Sequence, residues 1–101
     1  MKLRDIAHAR SGDKGDSANI GLIAFDEYAY RILCEQVTAE RVGQFFRALG
    51  PRGSTRYELP NLLALNFVLD GVLAEGGSRS LRLDAQGKVL GQALLEMEID
   101  A

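Results

Sequence analysis

The residues from Arg10 to Gly21 gather more chemistry than any other stretch of this sequence: the cations Arg10 and Lys14, the carboxylates Asp13 and Asp16, the hydroxyls Ser11 and Ser17, the Asn19 amide, and glycines at 12, 15 and 21. Glycines let successive backbone N–H groups converge on an anion, and Arg10 and Lys14 would neutralise a phosphate or carboxylate held there. Asp13 and Asp16 would orient those cations or accept from a ligand hydroxyl. The same composition suits a plain connection between strands, with the aspartates closing Asx turns and the cations facing water. Familiar phosphate and cation motifs do not match. In a P-loop the lysine follows the second glycine, whereas Lys14 precedes Gly15. The dinucleotide pattern GxGxxG is absent. An EF-hand fails because Asp13 and Asp16 are three apart and no glutamate stands at the twelfth position.

Outside that stretch, His8 adjoins it and would titrate near neutral pH as a general acid or base, or serve structurally. Asn66 sits among Leu62, Leu65, Leu69 and Leu73. An amide there is either a hydrogen-bonded core residue or a polar group offered to a pocket. Cys34 is a small apolar filler or a nucleophile needing His8 as its base. Arg79 and Arg82 fit solvated strand positions or an anion site, and Glu96 and Glu98 fit a solvated edge. The expected ligand set is Arg10, Ser11, Gly12, Asp13, Lys14, Gly15, Asp16, Asn19 and Asn66, with no catalytic residue, metal ligand or cofactor assigned.

The elements that must position these residues follow from period and punctuation. Leu3 to Ala9 has strand length, and the apolar run from Asn19 to Phe25 reads as a buried strand, so the polar stretch is expected as the loop between them. A short helix follows Asp26 through Ile32 and Leu33. Thr38 caps a second, whose Val42, Phe45, Phe46 and Leu49 form a stripe that Gly50-Pro51 stops. Ser54 to Leu59 alternates as a strand, with Thr55, Tyr57 and Leu59 on one face. Pro60 is expected to open a helix with a stripe of Leu62, Leu65, Leu69, Val72 and Leu73, ended by Gly76-Gly77. Leu81 and Leu83, the turn Asp84 to Lys88, and a last strand carrying Leu95, Met97 and Ile99 complete the order β-β-α-β-α-β-β. This predicts an α+β domain over 1–101 in which a mainly antiparallel sheet is covered on one face by helices, close to the ferredoxin-like architecture.

Bulk properties exclude several functions. The chain has 101 residues, 47% hydrophobic and 26% charged, an ordinary globular composition. Twelve basic against 14 acidic residues give a net charge of -2, which attracts neither a nucleic-acid backbone nor an anionic membrane. The apolar stretch Leu62 to Leu73 is too short to span a bilayer, and no signal-peptide pattern follows the N-terminal charges. With one cysteine, a reducing cytoplasmic location is expected.

RSGDKG at Arg10 to Gly15 followed by ANIG at Ala18 to Gly21, TRYELPNLLALNFVLDGVL at Thr55 to Leu73, and SRSLRLDAQGK at Ser78 to Lys88 carry a resemblance. From about Asp5 to Ile99 the chain resembles the AtuA-like domain, which closes the acyclic terpene utilisation protein AtuA and its relatives. The resemblance implies a ferredoxin-like fold and a setting in the breakdown of acyclic terpenes and other branched acyl-CoA compounds. Larger members carry a longer N-terminal region, so a separately encoded partner of that type is expected, with an acyl-CoA or small carboxylate as ligand. The competing expectations are a small enzyme acting on an acyl thioester through His8, Asp13 and Lys14, and a homo-oligomer whose loop is structural. An open sheet leaves edges that self-association would bury, so a dimer or larger is expected.

Overall fold

The computed structural model of the chain describes residues 1–72 and 89–100. After a 3-10 turn at Leu3–Asp5, strand β1 (Ala7–Lys14) folds back through Gly15 and Asp16 into β2 (Ser17–Ala24), from Ala7 opposite Ala24 to Lys14 opposite Ser17. A two-residue hairpin needs a turn that follows the strand twist, and Gly15 supplies it at φ 66° in the first central position, as in a type II′ turn. Arg10 to Gly21 is therefore mostly paired strand. The expected loop shrinks to two residues, and β1 begins at Ala7, not Leu3, which lies in the 3-10 turn.

The two helices after the hairpin start where their caps predict. The Asp26 carboxylate accepts from the Ala29 backbone N–H at 2.8 Å to open α1 (Glu27–Gln36), and the Thr38 hydroxyl accepts from Arg41 N–H at 3.1 Å to open α2 (Ala39–Phe45). Ala29, Ile32, Leu33 and Val42 are buried. Because α2 ends at Phe45, Phe46 turns into the core while Phe45 stays exposed. A second 3-10 turn at Arg47–Leu49 closes on Gly50 at φ 66°.

Strand β3 (Gly53–Leu59) joins β4 (Ala64–Asp70) through the loop 60–63. The helix expected after Pro60 is thus one 3-10 turn followed by a strand. Leu65 and Leu69 satisfy either period, but Phe67 between them is fully buried, and only a period of two puts all three on one face. Asn66 leaves the supposed helix stripe and faces the other side of the sheet.

The strand order is β1-β2-β4-β3, with every neighbouring pair antiparallel. Ala18, Ile20 and Leu22 of β2 stand opposite Leu69, Phe67 and Leu65 of β4, and these buried pairs floor the core. On that face α2 packs against β3 and β4, α1 against β2 and β4, and α3 (Val89–Leu94) against β1 and β2. The last strand expected is instead helix α3 and an extended tail. In that tail Leu95, Met97 and Ile99 are buried as the alternation predicts, but it belongs to no strand of the sheet: it joins the N-terminal segment through the bridge between Lys2 and Glu98 and the backbone bond from Arg4 N–H to the Leu95 carbonyl at 3.0 Å. Glu96 is spent on Lys2 and Arg4, at 2.8 Å from each. Leu81 to Leu83, the turn Asp84 to Lys88, and Arg79 and Arg82 lie outside the described residues. The class holds: an antiparallel sheet with helices on one face.

Candidate functional site

Because β-strand side chains alternate, the face turned away from the helices is read directly from the register. Its central row runs Arg10, Gly21, Asn66, Tyr57 across β1, β2, β4 and β3. One flanking row is Gly12, Asn19, Val68, Thr55; the other is His8, Ile23, Ala64, Leu59. The hairpin therefore brings Arg10, Gly12, Asn19 and Asn66 onto one surface, although Asn66 is distant in sequence. Gly21 leaves a dip between Arg10 and Asn66: a Cβ there would lie 3.8 Å from Asn66 Oδ1 and 3.9 Å from the Arg10 carbonyl, ordinary contact distances.

The polar groups at the centre of this face are uncommitted. Arg10 forms no ion pair, and the amides of Asn19 and Asn66 form no side-chain hydrogen bond, among the described residues. Its carboxylate, Asp70, is occupied in accepting from the Ser17 hydroxyl at 2.9 Å. Large apolar groups are exposed alongside: Tyr57 at 52%, Leu59 at 42% and Phe25 at 59%, the last stacked on the His8 ring with centroids 5.9 Å apart. Exposed apolar and aromatic groups thus stand beside uncommitted donors and acceptors, a combination also met in binding surfaces. The sequence reading placed Thr55, Tyr57 and Leu59 together but gave them no role, because their exposure depends on which face the helices cover.

Of the other expected site residues, Ser11 and Asp13 are separated from this face, whereas Lys14 stands at a register position in line with Arg10 and Gly12. The Ser11 hydroxyl turns to the helix side and accepts from the Gly91 backbone N–H at 3.0 Å, where α3 comes so close that a Cβ on Gly91 would meet Ser11 Oγ at 3.1 Å. Asp13 shares that side by register, opposite Ala18, and Lys14 closes β1 opposite Ser17. Gly15 and Asp16 form the turn. Asp16 is an anchor: Arg52 donates to its carboxylate at 2.8 Å, and this bond, with the charge behind it, holds the carboxyl below its ordinary 3.8. A carboxyl whose pKa is lower folded than unfolded stabilises the fold above its unfolded pKa and loses that contribution as pH falls through the folded value. Arg52→Gln should therefore give a shallower loss of melting temperature between about pH 5 and about pH 2 than the wild type shows.

His8 and Asp13 stand at register positions on opposite faces, and Cys34 belongs to the helix layer, packed against the core beside Tyr30. The grouping of His8 with Asp13, and the pairing of His8 with Cys34, are not formed. Burial, reinforced by the neighbouring thiol, pushes the Tyr30 hydroxyl up to about 12, so it holds its proton at physiological pH. No group of three or more His, Cys, Asp or Glu side chains able to hold a metal occurs among the described residues, and no helix there is long and apolar enough to cross a membrane.

Gly21 gives the face a direct stability test. Glycine in a strand interior loses backbone entropy, its φ is not positive, and a methyl group fits. Gly21→Ala should stabilise the fold by about 0.5 kcal/mol in urea denaturation.

A four-stranded antiparallel sheet backed on one side by helices, with its opposite face rich in exposed aromatic and unpaired polar groups, defines the class as a small α+β domain with two unlike faces. The family model of the AtuA ferredoxin-like domain matches residues 1–100, and the chain belongs to that family. No curated protein matches the chain, and no solved structure does.

Proposed function

We propose that this chain is an accessory binding domain of acyclic terpene or branched acyl-CoA breakdown in the cytoplasm, holding a separate partner subunit on the helix-free face of its sheet. The observation that carries the reading is the central row of that face, where the uncommitted Arg10 and Asn66 flank Gly21 and stand in register with the exposed Tyr57. The metabolic setting comes from the family's association with those compounds.

The shape of the surface favours a polypeptide. Small-molecule sites are concave and enclose most of their ligand, whereas a sheet face is open. Four strands about 4.8 Å apart and about seven residues long present on the order of 450 Å² of planar face. That approaches the roughly 500 Å² a side of the smallest specific interfaces. Phe25 and Leu59 extend the apolar contact at one end. A second copy of the chain would set two Arg10-bearing faces against each other, so a distinct partner is favoured over self-association. An acyl-CoA or small carboxylate fits as a ligand shared at the interface, its anionic group paired with Arg10. The acyl-thioester enzyme reading groups His8, Asp13 and Lys14, of which His8 and Asp13 stand on opposite faces of the sheet.

Capture on the tagged chain in the producing cells tests the proposal. The wild type should retain an enzyme of acyl-thioester or terpenoid metabolism that the Arg10→Glu/Tyr57→Ala double variant releases. A chain that stays solitary in gel filtration and turns over acyl-CoA by itself would overturn it.

A further inference from the structure

Strand β3 is an edge of the sheet: it pairs with β4 on one side, and no strand lies on its other side among the described residues. Natural edges are blunted by proline, lysine, bulges or outward charges. None of these protects the first half of β3, which reads Gly53-Ser54-Thr55. Its cation, Arg56, is turned inward, donating to the Cys34 and Val37 carbonyls at 2.9 and 3.1 Å at the end of α1.

Beside this edge runs a groove whose opposite wall is α2. Two adjoining hollows of about 410 and about 360 Å³, sharing Ala39, Glu40 and Ser54, extend it from Gly50 to Arg56. α2 comes directly against β3 at Gly43, which has no side chain: a Cβ there would lie 3.4 Å from Ser54 Cβ. The groove carries opposite charges along its length. Arg47 stands at the Gly50–Gly53 end, and Glu40 lines both hollows where they adjoin, toward Thr55; both are exposed and neither is in an ion pair among the described residues.

We infer that this groove binds an extended peptide segment of another protein, added to β3 as an antiparallel fifth strand. An unpaired strand edge supplies the main-chain donors and acceptors, and the helix that lines the hollows beside it supplies side-chain selectivity. Antiparallel addition continues the pairing of the whole sheet. It places the N-terminal part of the peptide near Glu40 and its C-terminal part near Arg47, so a basic residue followed by an acidic residue or a free carboxylate fits the charges. The surface is separate from the helix-free face, and the inference does not rest on the proposed function.

A phage-displayed library of random nonapeptides, selected on the full chain, supplies the probes. Enriched peptides should be rich in β-branched residues, with Lys or Arg toward the N-terminus and Asp or Glu toward the C-terminus. The Glu40→Lys/Arg47→Glu variant, changed only at exposed positions, should select the reversed polarity and bind the original peptides at least tenfold more weakly. N-methylation along a bound peptide should abolish binding at alternate residues only, a pattern that side-chain docking would not give. Backbone amide shifts should concentrate on Gly53–Leu59 and α2. The inference is overturned if no peptides enrich, if N-methylation acts without the period of two, if the shifts fall on Arg10 and Asn66, or if β3 pairs with a second copy of the chain.

Discussion

Phe67→Ala should lower the stability of the fold by about 3–5 kcal/mol, which at this chain length is a fall in melting temperature of roughly 15–30 °C. Phe67 is fully buried, stands opposite Ile20 at the centre of the sheet, and belongs to the layer that α1 and α2 cover. Its removal leaves a cavity between strand and helices that neighbours of fixed register fill poorly. Val68→Ala, one residue along and on the helix-free face, should cost under about 1 kcal/mol. Urea denaturation of the two variants measures the contrast. Equal losses would mean that β4 does not have its two faces in unlike surroundings.

The second large effect is on binding. Arg10→Ala and Tyr57→Ala should each weaken association with the captured partner by roughly 30-fold or more, because arginine and tyrosine near the centre of an interface carry a disproportionate share of its energy. Neither side chain is buried in the core, and Arg10 has no intramolecular ion pair among the described residues, so each variant should keep its folding free energy within about 0.5 kcal/mol. Biosensor titration beside urea denaturation separates the two quantities. A loss of stability that tracks the loss of affinity would make these residues structural.

Much of the fold was legible in the sequence, and the errors have particular causes. Asp26 and Thr38 marked both helix starts because an N-cap is a local interaction, complete within four residues. β2 and β3 were read from composition and alternation. β1 was displaced because His8-Ala9-Arg10-Ser11-Gly12-Asp13-Lys14 has almost no apolar content. It is a strand because β2 pairs with it and Gly15-Asp16 turns it, and that glycine-aspartate pair was the available hairpin signal. β4 was read as a helix because Leu65 and Leu69 fit both periods, and Phe67, which fits only one, was passed over. The stretch Arg10 to Gly21, expected as a loop, is a hairpin. A hairpin spreads backbone N–H groups along a ladder and sends alternate side chains to opposite faces, so Ser11 went to α3 and Arg10 to the outer face. That Asn66 and Tyr57 join Arg10 in one row follows only from the register of β4 with β2 and β3, a long-range pairing that no local pattern encodes.

Photo-crosslinking tests whether the helix-free face is the surface that holds a partner. A benzophenone side chain introduced at Tyr57, and in a separate variant at the exposed Gln92 of α3 on the opposite side, is activated in the producing cells. A discrete adduct with one other polypeptide is expected from position 57 and none from position 92. No adduct from position 57, or the same adduct from both positions, would contradict that placement of the partner.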